Sequence, residues 1–484
     1  MAPKNIIVAC DGTWLDSDNG FKRDSWLPWK TGGRLAIPSN VTRFSRAILP
    51  SHEDGTPQIT YYQAGLGSQN NAYSFFIGGY LGDGISENIR EAYAFICNNY
   101  QPGDKIFLVG FSRGAFTARS IGGLIASIGL MTKKGLGDFY PIFKDWENQN
   151  NPGYTSPYPA KYFPNRPKYT MTTGPEYVAM MVKNGLTTPN VPVEAIAVWD
   201  TVGSLGVPDL GPFSSSSRKE YAFIDTKVPS NLHYAYQALA LDDNRKPFRP
   251  TLWEMPKAGE ATVLKEMKQT WFPGAHSNVG GSYPDTGLAD ITLAWMIAQL
   301  SRNKLLSFDP TYMAWQKELN AEFLATITPR IDRPWACGKV YSTAGFTDYL
   351  TGTALRTPGS YKAKDPMTGA ETHVLRDTRE FIHPCVRTRV ALGGLGTADN
   401  GVYNDPWSLK DWERIPPRGV WEPKNGNKAS PDELWNDEWE EDWKWVTKLT
   451  DGRVVWIAED RLEGIELELC EKGSDARAIV EKTS

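Results

Sequence analysis

Short apolar runs rich in strand formers recur through the first three hundred residues, at Asn5–Ala9, Ile59–Tyr62, Ile106–Val109, Val193–Trp199 and Gln269–Phe272. Such runs predict strands, and the one at Val193–Trp199 has the pattern of a buried strand. Between them lie stretches with apolar side chains at helical spacing. One spans about Val41 to Ile48, and a second runs from Ser86 to about Asn99 with Ile85, Ile89, Tyr93 and Ile96 on one face. Others cover Ala115–Leu130, Tyr234–Leu241 and Ile291–Leu300. Strands alternating with helices predict an α/β fold, a mostly parallel sheet with helices on both faces.

Beyond about Pro310 the pattern becomes irregular. Trp435, Trp439 and Trp443 recur at four-residue spacing in a charged stretch that predicts a helix with a tryptophan packing face, and Val454–Ile457 with Ile465–Leu469 predicts a terminal hairpin or sheet edge. No internal repeat or low-complexity linker interrupts the chain. The expected organisation is therefore a main domain over residues 1–310 and a C-terminal extension over 311–484 packed on its core. An insertion at residues 137–190, dense in Tyr, Pro and Asn, is a candidate lid at the carboxyl edge of the sheet.

Composition narrows the choice of partner. The 484 residues are 40% hydrophobic and 12% aromatic, enough for a sizeable core, and a net charge of −4 supplies no attraction for nucleic acid or an anionic surface. A small molecule, a carbohydrate or a neutral lipid is easier to accommodate; oligomeric state is left open. Five widely spaced cysteines, Cys10, Cys97, Cys337, Cys385 and Cys470, form no metal-ligand spacing and are expected reduced and mostly buried. With no apolar leader after Met1 and no stretch able to span a bilayer, a cytoplasmic location is expected, unconventional export remaining open.

The candidate chemistry centres on Gly110-Phe111-Ser112-Arg113-Gly114, set between a strand and a helix. A serine at such a turn has its hydroxyl thrust out at the carboxyl end of the strand, and the glycines relieve crowding where strand and helix diverge. Asp200 follows the strand ending at Trp199, and His276 follows the strand ending at Phe272. The order serine, acid, histidine is that of α/β hydrolases. Ser112 is then the nucleophile, His276 the base, and Asp200 the group that orients the imidazole, with Asp209 or Asp242 as alternative acids. The amide of Arg113 and a second donor from Gly12-Thr13 would hold the oxyanion, water would resolve the acyl-enzyme, and no metal or organic cofactor is needed.

Other motifs are weaker. Asp11-Gly12-Thr13 follows a strand as in haloacid-dehalogenase phosphatases, but Ala9 stands where their nucleophile would be; Asp11 serves equally well as a turn cap. The glycine-rich lead-in from Gly65 to Gly84 has neither a dinucleotide fingerprint nor a P-loop lysine. His383, flanked by Pro384, reads as structural. A binding protein that keeps the scaffold without turnover is the competing class.

Four separated motifs carry a family resemblance: Asp11-Gly12-Thr13-Trp14; the stretch from Asn88 through Gly103-Asp104 to Arg119; Trp199–Ser204; and Phe272–Gly281. Over about residues 4–300 the chain resembles the catalytic domain of type VI secretion phospholipase effectors, with the look of a fungal member. The resemblance implies a serine esterase with phospholipase A-like activity on a lipid or other hydrophobic ester. Asn278 stands where bacterial members usually have Asp, so a supporting carboxylate near His276 is not expected from that position.

Overall fold

The structure is a computed structural model that describes residues 2–12, 15, 21–23, 33–65, 81–202, 227–257, 259–329, 331, 333–343, 352–365, 370–404, 406–417, 441–449 and 452–481. Trp435 and Trp439, and most of the stretch expected to form their helix, lie outside these residues, as does most of Gly65–Gly84 before its helix. Ten strands among the described residues form one sheet. In chain order they are β1 Asn5–Cys10, β2 Gln58–Gln63, β3 Lys105–Phe111, β4 Val193–Trp199, β5 Leu232–Ala240, β6 Glu266–Phe272, β7 Glu380–Ile382, β8 Glu413–Ile415, β9 Lys444–Lys448 and β10 Val454–Glu459. Their spatial order is β8-β9-β10-β7-β6-β5-β4-β3-β1-β2. Every pairing from β2 to β10 is parallel, and only the last two, β10 with β9 and β9 with β8, are antiparallel.

The two-residue period of a strand divides the apolar runs between two cores. Ile6, Val8, Ile106, Leu108, Ile196 and Val198 face one layer; Ile7, Ala9, Phe107, Val109, Ala195 and Ala197 face the other. The first layer is closed by the helices Leu81–Asn99 and Arg113–Ile128, through Ile89, Tyr93, Ile121 and Ile125. Asn40–Ala47 and Gly287–Arg302 close the second, through Val41, Phe44, Trp295 and Leu300. The expected mostly parallel α/β sheet with helices on both faces is the fold observed.

Two expectations about elements do not hold. Tyr234–Leu241 was expected to be helical; it is almost wholly strand β5, in the middle of the sheet. Its alanines and leucines favour helix locally, but with helices pressed on both faces a central strand has no polar alternate and takes small residues. Its one buried polar side chain, Gln237, donates to the carbonyl of Thr251 at 3.2 Å and to Oε1 of Gln269 at 3.1 Å. Ile465–Leu469 is a short helix and not a strand, entered through Gly464 at φ 50°. Its alternation of Ile, Glu and Leu looked like an edge, yet Glu466 is buried against His383 and Leu469 joins the second core.

The insertion at 137–190 is part of the first core. Phe139, Ile142, Phe143, Trp146, Phe163, Tyr169, Tyr177 and Met181 pack in the cluster that contains the helix Arg113–Ile128. Its polar ties point the same way: Glu147 accepts from the hydroxyl of Ser86 at 2.5 Å, and Asp145 takes the guanidinium of Arg166 at 2.5 Å and the hydroxyl of Tyr177 at 2.9 Å. The aromatics of the insertion are mostly interior packing, and the aromatic rings against His276 come from elsewhere, as described below. The five cysteines are free, four of them buried and Cys97 partly so. Among the described residues no helix is long and apolar enough to cross a membrane.

Candidate active site

Parallel strands deliver the candidate residues to one edge. Asp11 follows β1, Ser112 follows β3, Asp200 follows β4, Asp243 lies just beyond β5 and His276 just beyond β6, and these five strands are neighbours in that order in the sheet. Polar groups clustered at the carboxyl ends of adjacent parallel strands are the usual consequence of this topology.

Ser112 sits at the junction of β3 and the helix Arg113–Ile128 with φ 58° and ψ −121°, a region that residues with a side chain rarely adopt. The surroundings hold it there. A Cβ on Gly114 would lie 2.1 Å from the carbonyl oxygen of Cys10, and one on Gly110 would lie 2.4 Å from that of Gly114, so strand and helix can approach only because both positions are glycine. The amide of Ser112 donates to the carbonyl of Trp199 at 3.1 Å. Phe111 beside it fills the space left by Gly280, whose Cβ would fall 2.0 Å from the ring, and lies against the imidazole of His276 with ring centroids 4.6 Å apart and planes tilted by 34°.

His276 opens a short helix, His276–Gly280, reached through Gly274 at φ 104°. Nδ1 of His276 lies 2.5 Å from Oδ2 of Asp200, so with the carboxylate ionised Nδ1–H is the donor and Nε2 is left as the acceptor. Nε2 has no hydrogen-bond partner among the described residues. Phe248 covers the ring edge-on at 5.0 Å, and the guanidinium of Arg245 stacks on Phe248 at 3.4 Å. Ser112 is 7% exposed, His276 4% and Asp200 0%, which makes this a desolvated corner. Burial holds the pKa of His276 below its ordinary value, against the pull of Asp200 and Asp243.

Asp200 has all four of its acceptor directions filled. Oδ1 accepts from the amide of Ala240 at 3.1 Å and from Nη1 of Arg356 at 3.0 Å; Oδ2 accepts from His276 and from Nη2 of Arg356 at 3.0 Å. Burial would raise its pKa, but the charge of Arg356 and the bond to His276 outweigh burial and hold it well below the ordinary carboxylate range. Arg356 is the functional neighbour that sequence reasoning missed. Nothing local in Arg356-Thr357-Pro358-Gly359 shows that a side chain more than a hundred positions from Asp200 returns to it.

The other candidates are also placed. Asp242 is turned away, accepting from the amide of Gly274 at 2.6 Å and the hydroxyl of Tyr403 at 2.8 Å; Asp209 lies outside the described residues. The amide of Gly12 donates to Oδ1 of Asp11 at 2.7 Å. Thr13 lies outside the described residues, and Arg113 begins the helix after Ser112. Asp11 is the hub of its turn: Oδ2 also takes the hydroxyls of Ser39, Tyr62 and Thr42 at 2.6, 2.7 and 3.1 Å. Asn278 ties the histidine loop down, accepting from the amides of Ala275 and Tyr341 and donating to the carbonyl of Lys339. A supporting carboxylate is present all the same, since Asp243 accepts from the amide of His276 at 3.1 Å. His383 does lie at the carboxyl end of a parallel strand, but it is fully buried, capping the next helix through Nδ1 and meeting Glu466 through Nε2 at 2.9 Å.

A mostly parallel sheet with a strained serine at the β3 turn and a His–Asp pair brought together from the ends of β6 and β4, either side of β5, defines an α/β protein of the hydrolase-like class. Residues 4–299 match the family described as T6SS, Phospholipase effector Tle1-like, catalytic domain, and the chain belongs to that family, whose chemistry is lipase- or esterase-type hydrolysis. The chain is similar to the uncharacterized protein YEL023C of Saccharomyces cerevisiae, with 26% identity over 301 residues, in keeping with a fungal member. That match covers 57% of this chain and 37% of the yeast protein, so the chain spans little more than a third of that relative's length. A crystal structure of an uncharacterized protein from Pseudomonas aeruginosa aligns with 17% identity and a TM-score of 0.36, over 66% of this chain and 49% of that one.

Proposed function

We propose that the protein is a serine hydrolase of carboxylic esters, acting on a lipid or other hydrophobic ester through Ser112, His276 and Asp200. The observation that carries the assignment is the 2.5 Å contact between Nδ1 of His276 and Asp200, which leaves Nε2 as an unpaired acceptor in the corner that holds the strained Ser112. Family membership supports hydrolysis; the desolvated setting supports a hydrophobic substrate.

Nε2 accepts the proton of Ser112 as its oxygen attacks the ester carbonyl, and Asp200 stabilises the imidazolium that forms. The amide of Arg113 would hold the oxyanion, with a second donor from the Gly12-Thr13 turn. His276 returns the proton to the leaving alkoxide. Water, deprotonated by the same nitrogen, then releases the acid from Ser112.

A fluorophosphonate probe tests this directly. The native protein is expected to be labelled, with labelling lost in Ser112→Ala and in His276→Ala, and product analysis on mixed phospholipids and simple esters should yield free acids. A folded native protein that takes no label would leave the binding-protein alternative standing.

A further inference from the structure

Resting on the Ser112–His276–Asp200 assignment, we propose that Arg356 is a positioning residue of the same site: its guanidinium grips both oxygens of Asp200 and fixes the carboxylate in register with Nδ1 of His276. Arg356 lies beyond residues 4–299, in the part of the chain that the family match does not reach. The C-terminal extension thereby contributes to the site itself.

The geometry is specific. Nη1 and Nη2 each reach a different oxygen at 3.0 Å, while Nε donates to the carbonyl of Asp243 at 3.0 Å, so the planar fork is held on three sides. Arg356 is 1% exposed, and its charge has no solvent to fall back on. The segment that carries it is sewn to the loop after β5: Thr353 bridges to Arg245, and the amide of Ala354 donates to the carbonyl of Asn244 at 2.8 Å. A purely structural ion pair could turn the carboxylate wholly toward the arginine. Here Oδ2 is shared between Nη2 of Arg356 and Nδ1 of His276, so rotation of the carboxylate toward either partner strains the other.

The shared oxygen has an electrostatic consequence. The charged groups acting on the imidazole are Asp200, Asp243 and Arg245, with Arg356 behind Asp200 and Tyr361 beside Arg356; the rings of Phe111 and Phe248 carry no charge. Arg356 offsets part of the negative charge that would otherwise stabilise the imidazolium. Removing it therefore makes His276 easier to protonate and Asp200 harder to ionise. Both effects displace the acid limb of the rate profile toward higher pH.

The test is the pH dependence of hydrolysis of a soluble ester by full-length protein carrying Arg356→Gln or Arg356→Lys. In Arg356→Gln the acid limb of kcat/KM is expected to rise by about one pH unit. Its kcat should fall roughly 100-fold, less than the ~10⁴-fold known for spoiling a triad acid outright, with KM within about threefold. Arg356→Lys keeps the charge but loses the fork, so the limb should stay within about 0.3 units while kcat falls about tenfold. A folded Arg356→Gln protein with the native limb and kcat would overturn the proposal. If that variant does not fold, Arg356→Lys decides: lowered kcat with an unmoved limb supports the proposal, and native kcat or a shifted limb overturns it. These outcomes are separable from failure of the underlying assignment, in which the native protein itself takes no fluorophosphonate label and Arg356 loses its proposed role along with Ser112.

Discussion

At the scale of single residues, Asp200 is the point on which orientation and charge both turn. From the triad alone, Asp200→Asn would be expected to fold normally and simply favour the wrong imidazole tautomer. With Arg356 fully buried against it, the same change leaves a guanidinium without its counter-charge, and breaking a buried pair in this way costs about 3–5 kcal/mol. Asp200→Asn is therefore expected to lose labelling and also to unfold at a clearly lower urea concentration than the native protein; an unchanged unfolding midpoint would count against the buried pair. His276 supplies a second check. Burial holds its pKa below 6.5, and the base must be neutral, so activity should rise with pH, reach its half-point below 6.5 and be flat at neutrality. A kcat/KM profile with its acid midpoint above 6.5 would contradict the desolvated setting.

At the scale of elements, the insertion changes character between sequence and structure. As a wall over the pocket, its removal would alter activity on bulky esters and spare small ones. Because Ala160, Phe163 and Tyr169 are buried in the first core and Arg166 holds Asp145, replacing residues 150–170 by a Gly-Ser link takes away packing and strands a buried carboxylate. Each large buried side chain contributes about 1.5–3 kcal/mol, against a total stability of about 5–15 kcal/mol for a domain. The trimmed protein should be insoluble or lose activity on every ester alike. Retained activity on a small ester with loss only on long-chain ones would restore the lid.

At the scale of the whole molecule, the sheet does not stop where the family match ends. β7 pairs with β6, β10 with β7, and the antiparallel pair β8 and β9 completes that side. An ion pair runs across the same boundary, Lys268 meeting Asp460 at 2.8 Å. Trp295, in the helix Gly287–Arg302, donates to Asp460 at 2.9 Å. Ending the chain at residue 310 would bare the full edge of β6, an invitation to edge-to-edge association, and would remove Arg356. Residues 1–310 alone should accumulate as aggregate. A soluble, monomeric and fluorophosphonate-reactive 1–310 fragment would show the two parts to be independent.

What the sequence determined alone is whatever depends on neighbours along the chain. The strand ending at Phe111, the glycines around Ser112, the following helix and the order Ser112, Asp200, His276 were legible because a strand-turn-helix and its steric limits involve only a few consecutive residues. Segments whose local preference opposed their surroundings were misread. β5 reads locally as a helix because alanine and leucine favour one until both faces are covered, and Ile465–Leu469 reads as a strand because five alternating residues fit either period. The partners of the site lay further out of reach. That Arg356 pairs with Asp200, that Asp243 and not position 278 carries the supporting carboxylate, and that Phe248 covers the imidazole are facts about distance in space. Only the folded sheet decides them, because a buried charge or a desolvated ring takes its energy from the groups that tertiary packing brings to it, wherever they stand in the chain.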